Sequence, residues 1–178
     1  MVGKQYQQLT SNDIEFINNQ KLFYIASSSG GEINLSPKGY DSIRVLNPST
    51  LLYMSYAGSG NRTYTDAING GEFTLLFNAF EGNAKILRLF CHAEAIEPED
   101  EVFEEYVTLF GEKASLVRNF FIFEIYAVES SCGDGVPYMT YQGDRPSLKS
   151  WMTKLDEQGK LEQYKEDHFT PPDLSRIG

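Results

Sequence analysis

The sequence predicts a mainly β fold, α+β in class, built as an antiparallel barrel with peripheral helices. Two observations carry this prediction. Three pairs of strand-like runs are joined by short turn-forming segments within the first hundred residues, and a long aromatic run follows at 118–128. Helix signals are few and short by comparison.

Taken in order, Ser11-Asn12-Asp13 opens a short amphipathic helix through Asn19, with Ile14, Phe16 and Ile17 on its apolar side, placed to cover one end of the sheet. Runs at 22–27 and 32–38 flank Ser28-Ser29-Gly30-Gly31, where the glycines tolerate the positive φ of a tight hairpin. Runs at 41–46 and 50–56 are divided by Asn47-Pro48-Ser49. A short helical stretch at 63–69 ends at Gly70-Gly71, and runs at 73–80 and 85–96 flank Glu81-Gly82-Asn83-Ala84. Pro98, followed by Glu99, Asp100 and Glu101, opens a helix to Phe110; its acidic first turn suits the positive end of the helix dipole, and Gly111 stops it. The segment at about 147–168 is helical with a break at Gly159, and Thr170-Pro171-Pro172 is extended. No internal repeat, low-complexity tract or linker divides the chain, so its 178 residues read as one domain.

A formal net charge of -10 argues against nucleic acid or an anionic membrane as partner. The longest apolar stretches, such as 119–128, fall well short of the roughly 20 residues of a membrane span, and the first ten residues are polar. A soluble, cytoplasmic protein is expected. The two cysteines, Cys91 and Cys132, have no paired spacing, and His92 and His168 lie far apart, so neither a disulfide framework nor a metal site is expected.

Two polar segments stand out, Asn-Leu-Ser-Pro-Lys-Gly at 34–39 and Gly-Ser-Gly-Asn-Arg-Thr at 58–63, each closing a strand-like run. They suit a phosphate cradle. Asn61 can cap the following helix, leaving free amides directed at the glycine turn, where an anion would sit. Arg62 adds a forked donor and Lys38 a compact charge. Two cations balance a phosphate monoester, which carries about two negative charges near neutral pH. In so acidic a chain such a pocket must come from placement.

Period-two geometry sorts the remaining candidates. If Ile33 and Leu35 face the core, then Asn34, Ser36 and Lys38 share the opposite face, and Pro37 confines the strand to an edge. Along 85–92, Ile86, Arg88, Phe90 and His92 fall on one side, with Leu87, Leu89 and Cys91 on the other. Arg88, set among apolar residues, must reach a phosphate, solvent or a carboxylate such as Glu72, Glu94 or Glu124. Phe120, Phe121, Phe123 and Tyr126 are core and interface candidates. His168, in a polar tail, is expected to be solvated.

The series at 34–39 and 58–63, with Ile-Leu-Arg-Leu-Phe at 86–90 and Ser-Cys-Gly-Asp-Gly-Val-Pro at 131–137, resembles the pyridoxamine 5'-phosphate oxidase-related family of FMN-binding split barrels. The likeness runs from about Phe23 to the helix near Trp151. It implies a six-stranded split barrel working as a homodimer, with FMN in a groove between subunits. It places the ribityl phosphate at Ser36, Lys38, Ser59, Asn61 and Arg62. Thr63 stands where the pyridoxamine phosphate-oxidising members often carry a second basic residue, a missing charge that Lys38 or Arg88 could replace. Cys132 could lie near the flavin of the partner subunit or serve a tight turn. Those members also end in a basic, proline-containing signature. Here the chain runs from Trp151 to Pro171-Pro172 with no Arg-Leu-x-Pro segment, so pyridoxamine phosphate oxidation is not expected.

The resemblance therefore implies an FMN-dependent oxidoreductase acting on a small molecule, with the catalytic residues unassigned. The alternative is a non-catalytic module that stores or senses FMN. A haem-binding split barrel needs an axial histidine and ranks last, since only His92 and His168 are available.

Overall fold

The structure, a computed structural model, describes residues 3–174. Burial alternates along the second strand, where Phe23, Ile25 and Ser27 point inward, as period-two geometry requires. Among the described residues eight strands form one antiparallel sheet: β1 (Lys4–Tyr6), β2 (Phe23–Ser28), β3 (Asn34–Lys38), β4 (Ile43–Asn47), β5 (Thr50–Tyr56), β6 (Glu72–Asn78), β7 (Ile86–Ile96) and β8 (Val117–Ser131). Their order is β3-β2-β6-β7-β8-β5-β4, and β1 pairs with the far end of β8. The three expected hairpins are present as β2/β3, β4/β5 and β6/β7.

This is two strands more than the resemblance implies. The polar run of β1 is too short to show alternation, and its register is set by β8, where Tyr6 lies opposite Val128. The sheet curls, but its two ends, β3 and β4, are joined only by residues 39–42 and do not pair with each other. That seam locates the site described below.

Inside the curl, Phe23, Ile25, Tyr53, Phe73, Leu75, Phe77, Leu89, Phe121 and Phe123 form the main core. Each fully buried large side chain contributes about 1.5–3 kcal/mol. A second core lies on the other face of β5 and β8, where Leu52, Met54 and Phe120 meet Phe103 and Val107 of α3 (Phe103–Phe110), Met152 of α4 (Ser147–Glu157) and Leu161 of α5 (Leu161–Asp167). The aromatic run of β8 thus serves both cores by alternation.

The first helix, α1 (Ser11–Asn19), begins in a capping box between Thr10 and Asp13. Asp13 is buried, accepts from the Tyr6 hydroxyl at 2.9 Å and pairs with Lys85 at 2.8 Å. Burial alone would raise its pKa, but Lys85 and Thr10 outweigh that and hold it below the usual carboxylate range.

Two expectations need correction. The helix predicted from Pro98 begins at Phe103, because the Asp100 carboxylate accepts the Glu97 N–H at 2.7 Å and folds 97–102 into turns. It ends at Gly111, at φ +63°, and the C-terminal helices break at Gly159, at φ +66°, both as expected. The faces of β3 are also reversed. Ile33 and Leu35 are 79% and 66% exposed, while the polar residues turn inward. The β2 register dictates this: Ser36 lies opposite Ile25 and Lys38 opposite Phe23, so they share the inward face.

Candidate functional site

A cavity of about 420 Å³ opens beside that seam, between β3 and β5. It is walled by Ser36 and Lys38 of β3, by Tyr40 in the connecting turn, by Tyr53, Ser55 and Tyr56 of β5, and by Gly58, Ser59 and Gly60 of the following loop. Arg62 and Thr63 complete it from α2 (Arg62–Ile68). Five of the eight residues singled out in the sequence, Ser36, Lys38, Ser59, Arg62 and Thr63, therefore converge here.

Part-buried hydrogen bonds, with one fully buried between Ser27 and Asp66, fix this wall. The Asn34 amide donates to Ser27 Oγ at 3.1 Å and to Thr63 Oγ1 at 3.2 Å, while its Oδ1 accepts from Ser36 Oγ at 3.2 Å. Asp66 accepts from Ser27 at 2.6 Å and from Ser29 at 2.8 Å. One asparagine thus ties Ser36 of β3 to Thr63 of α2. Lys38 Nζ lies 5.6 Å from the Tyr53 ring centroid, which keeps the ammonium at the cavity side of an aromatic face.

The turn after β3 is strained, since Tyr40 and Asp41 take φ of 64° and 55°, a left-handed region unfavourable to residues with a Cβ. Such strain persists only where the surroundings enforce it. Ser42 Oγ donates to the Gly39 carbonyl at 2.6 Å, and the Tyr40 hydroxyl donates to the Arg145 carbonyl. Behind Tyr56, its hydroxyl donates to Glu112 at 2.7 Å and Lys149 reaches the same carboxylate at 2.8 Å. Burial, reinforced by Glu112 against the opposing pull of Lys149, pushes the Tyr56 pKa up.

Arg62 donates one amino group to Glu32 and the other to the Pro172 carbonyl at 2.6 Å. Its side chain is 23% exposed. Asn61 departs from expectation: it occupies the N-cap position but makes no side-chain cap, and its amide instead donates to the Phe169 carbonyl at 2.9 Å. Phe169 in turn packs edge-on against Tyr64, with centroids 5.0 Å apart, so the extended tail crosses the start of α2. Asn61 is buried and does not line the cavity.

Sequence reasoning missed two residues. Arg118, at the start of β8, is 7% exposed and donates to the Gly60 and Gly58 carbonyls at 3.0 and 2.9 Å. Its neighbour Asn119, opposite Ser55 in the register, is 2% exposed, and neither amide atom has a partner among the described residues. Buried amides are normally satisfied. The only available sequence signal was a cation and an amide heading an otherwise apolar strand.

No protein-family model matches the chain. A pyridoxamine 5'-phosphate oxidase family protein of Aspergillus flavus, ustO, is 34% identical over 166 residues, which cover 89% of this chain and 67% of that protein. The chain belongs to the pyridoxamine 5'-phosphate oxidase family. Solved structures share the fold of this family member. A candidate pyridoxamine 5'-phosphate oxidase of Lactobacillus delbrueckii superimposes with a TM-score of 0.55 at 19% identity, over 69% of this chain and 98% of that one. HupZ from Group A Streptococcus gives 0.56 at 18% identity, over 67% and 92%. An FAD-binding protein of Mycobacterium smegmatis gives 0.50 at 12% identity, over 71% and 97%. At these identities the likeness is one of fold.

Within the family member, neither Arg88 nor Cys132 lines the seam cavity. Arg88 stands directly opposite Glu129 across β7 and β8, 3.3 Å from its carboxylate and 3.3 Å from Ser131 Oγ, so its partner is none of the three carboxylates expected. Cys132 is exposed just beyond β8, and Cys91 is buried, its thiol pKa raised by burial. Both thiols are free. His168, expected to be solvated, is half-buried and stacks on Tyr164 with centroids 4.0 Å apart. Among the described residues no group of histidines, cysteines and carboxylates could hold a metal, and no helix is long and apolar enough to cross a membrane.

Proposed function

We propose that this family member binds FMN at the seam and acts as an FMN-dependent oxidoreductase on a small molecule other than pyridoxamine phosphate. The observation that carries this reading is the convergence of three hydroxyls, Ser36, Ser59 and Thr63, with two cations, Lys38 and Arg62, on one cavity. The donor set fits a phosphate monoester: the cations balance its charge, and the hydroxyls meet its acceptor oxygens. Tyr40, Tyr53 and Tyr56 beside them form an aromatic wall suited to the rest of a flavin.

When bound, the flavin would supply hydride and single-electron chemistry. The chain's own residues have narrower tasks. Arg62 and Lys38 neutralise the phosphate, Asn34 holds Thr63 and Ser36 in place, and the tyrosines exclude water. We place Arg88 with its cross-strand glutamate and Cys132 with its turn, outside phosphate contact. The working form in this reading is a cytoplasmic homodimer with the flavin between subunits.

One observation favours a second reading, a non-catalytic FMN store or sensor. No carboxylate or histidine stands among the described residues lining the cavity, so none of them is an evident proton carrier near neutral pH.

Titration of the purified protein with FMN and with riboflavin tests the site. The reading expects saturable binding with FMN tighter by about tenfold or more, the worth of a charge-assisted contact of about 1.5–3 kcal/mol. Equal affinity, or no binding, would contradict it. Anaerobic mixing of the FMN complex with NADH or NADPH then separates enzyme from store, since rapid bleaching supports turnover and an inert flavin supports the second reading.

A further inference from the structure

We infer that Arg118 is a positioning residue: by holding the Gly58 and Gly60 carbonyls it turns the amides of Ser59 and Asn61 toward the seam cavity as a pair of anion donors. The inference rests on the reading of the seam as a phosphate site and adds the part of that site made of backbone.

The geometry begins with the guanidinium. Arg118 Nη1 donates to the Gly60 carbonyl at 3.0 Å and Nη2 to the Gly58 carbonyl at 2.9 Å. A trans peptide is planar, with its C=O and N–H pointing in opposite directions, and no described peptide bond is cis. Pulling the carbonyls of 58 and 60 toward Arg118 therefore directs the N–H groups of Ser59 and Asn61 away from it. Gly58, Ser59 and Gly60 line the cavity and Arg118 does not, so the loop lies between the arginine and the cavity; Asn61 itself is not in the lining, and its N–H enters only as part of the peptide it shares with Gly60. Neither amide donates to an acceptor among the described residues. Two backbone N–H groups on one side of a loop, here separated by Gly60, can converge on a single anion as in other anion-binding concavities.

Charge supports the same assignment. Arg118 is buried, its Nε has no partner, and no carboxylate lies within ion-pair distance among the described residues. A buried cation without a counterion is unfavourable. Burial draws its pKa down. An anion held on the cavity side of the loop supplies the missing counter-charge, so Arg118 acts on the phosphate through the peptide groups it holds and through its field.

The test compares the 178-residue chain with its Arg118→Met and Arg118→Lys variants, titrating each with FMN and with riboflavin. The ratio of the two affinities isolates the phosphate contribution, which a general loss of packing does not move. The expected result is a tenfold or greater drop in that ratio for Arg118→Met, carried by FMN, with partial recovery in Arg118→Lys, whose single ammonium can hold one carbonyl. An unchanged ratio in folded Arg118→Met overturns the inference and leaves the seam reading standing. A wild-type chain that fails to distinguish FMN from riboflavin overturns both.

If Arg118→Met does not fold, backbone amide NMR of the wild-type chain decides. FMN, and not riboflavin, is expected to shift the Ser59 and Asn61 amide resonances and slow their hydrogen exchange. Resonances that stay in place overturn the inference.

Discussion

Arg62 and Arg88 each lie in a motif, each stand near a glutamate, and yet occupy sites of different kinds. Arg88 faces Glu129 across paired strands, so the sheet register that creates the cation also supplies its counter-charge. Arg62 projects from the start of α2 and meets Glu32 from the β2/β3 turn and a carbonyl of the tail, partners contributed by loops. The first arrangement completes itself. The second gathers hydroxyls, a lysine and the 58–60 loop around a cation whose partners can be exchanged. Convergence of donors from separate elements, more than the presence of a cation, marks the site.

That contrast can be broken by substitution. Arg62→Ala should lower FMN affinity by about 10- to 100-fold, the range of a charge-assisted hydrogen bond, while Arg88→Ala should leave it within about twofold. Comparable losses from both would erase the distinction. Lys38→Met comes next, with a several-fold loss expected, because its ammonium also rests on the Tyr53 face and offers no forked geometry. Flavin fluorescence titration at fixed ionic strength reads both effects.

Glu32→Gln sharpens the comparison from the other side. Removing the carboxylate that engages Arg62 should raise FMN affinity by about threefold, within the worth of a half-exposed ion pair. A fall would show that Glu32 orients Arg62 for the ligand.

The smallest effect on binding is expected at Asp13, remote from the seam. Its pKa is depressed in the folded chain, so its contribution to stability is present above the ordinary carboxylate value of about 4 and is lost as pH falls through the lower folded value. Asp13→Asn should flatten the acid limb of a pH–stability curve and leave FMN affinity unchanged. An acid limb as steep as that of the wild type would reassign the depression to another group.

Much of the fold was legible because turn chemistry is local. The glycines after Ser29 and the Asn47-Pro48-Ser49 turn mark hairpins wherever they occur. What alternation leaves open is which face goes inward. For β3 the answer came from Ile25 and Phe23 across the register, which turned Ser36 and Lys38 in and Leu35 out. Asn61 has the right side chain for a cap, but a tail carbonyl more than a hundred residues away took it. Asp100 shortened α3 by capturing a nearby amide, a local competition that helix propensity does not resolve.

The candidate site was half legible for the same reason. Its hydroxyls and cations sit in two compact segments, whereas Arg118 lies about sixty positions from the carbonyls it holds, and nothing in its own neighbourhood announces them.

A crystal structure of the 178-residue chain grown with FMN tests the central claim most directly. The account predicts the phosphate at the seam, within hydrogen-bond reach of Ser59 and Arg62 and in front of the loop held by Arg118. Density for the flavin phosphate beside Arg88 and Glu129, or a seam that stays empty at saturating FMN, would contradict it.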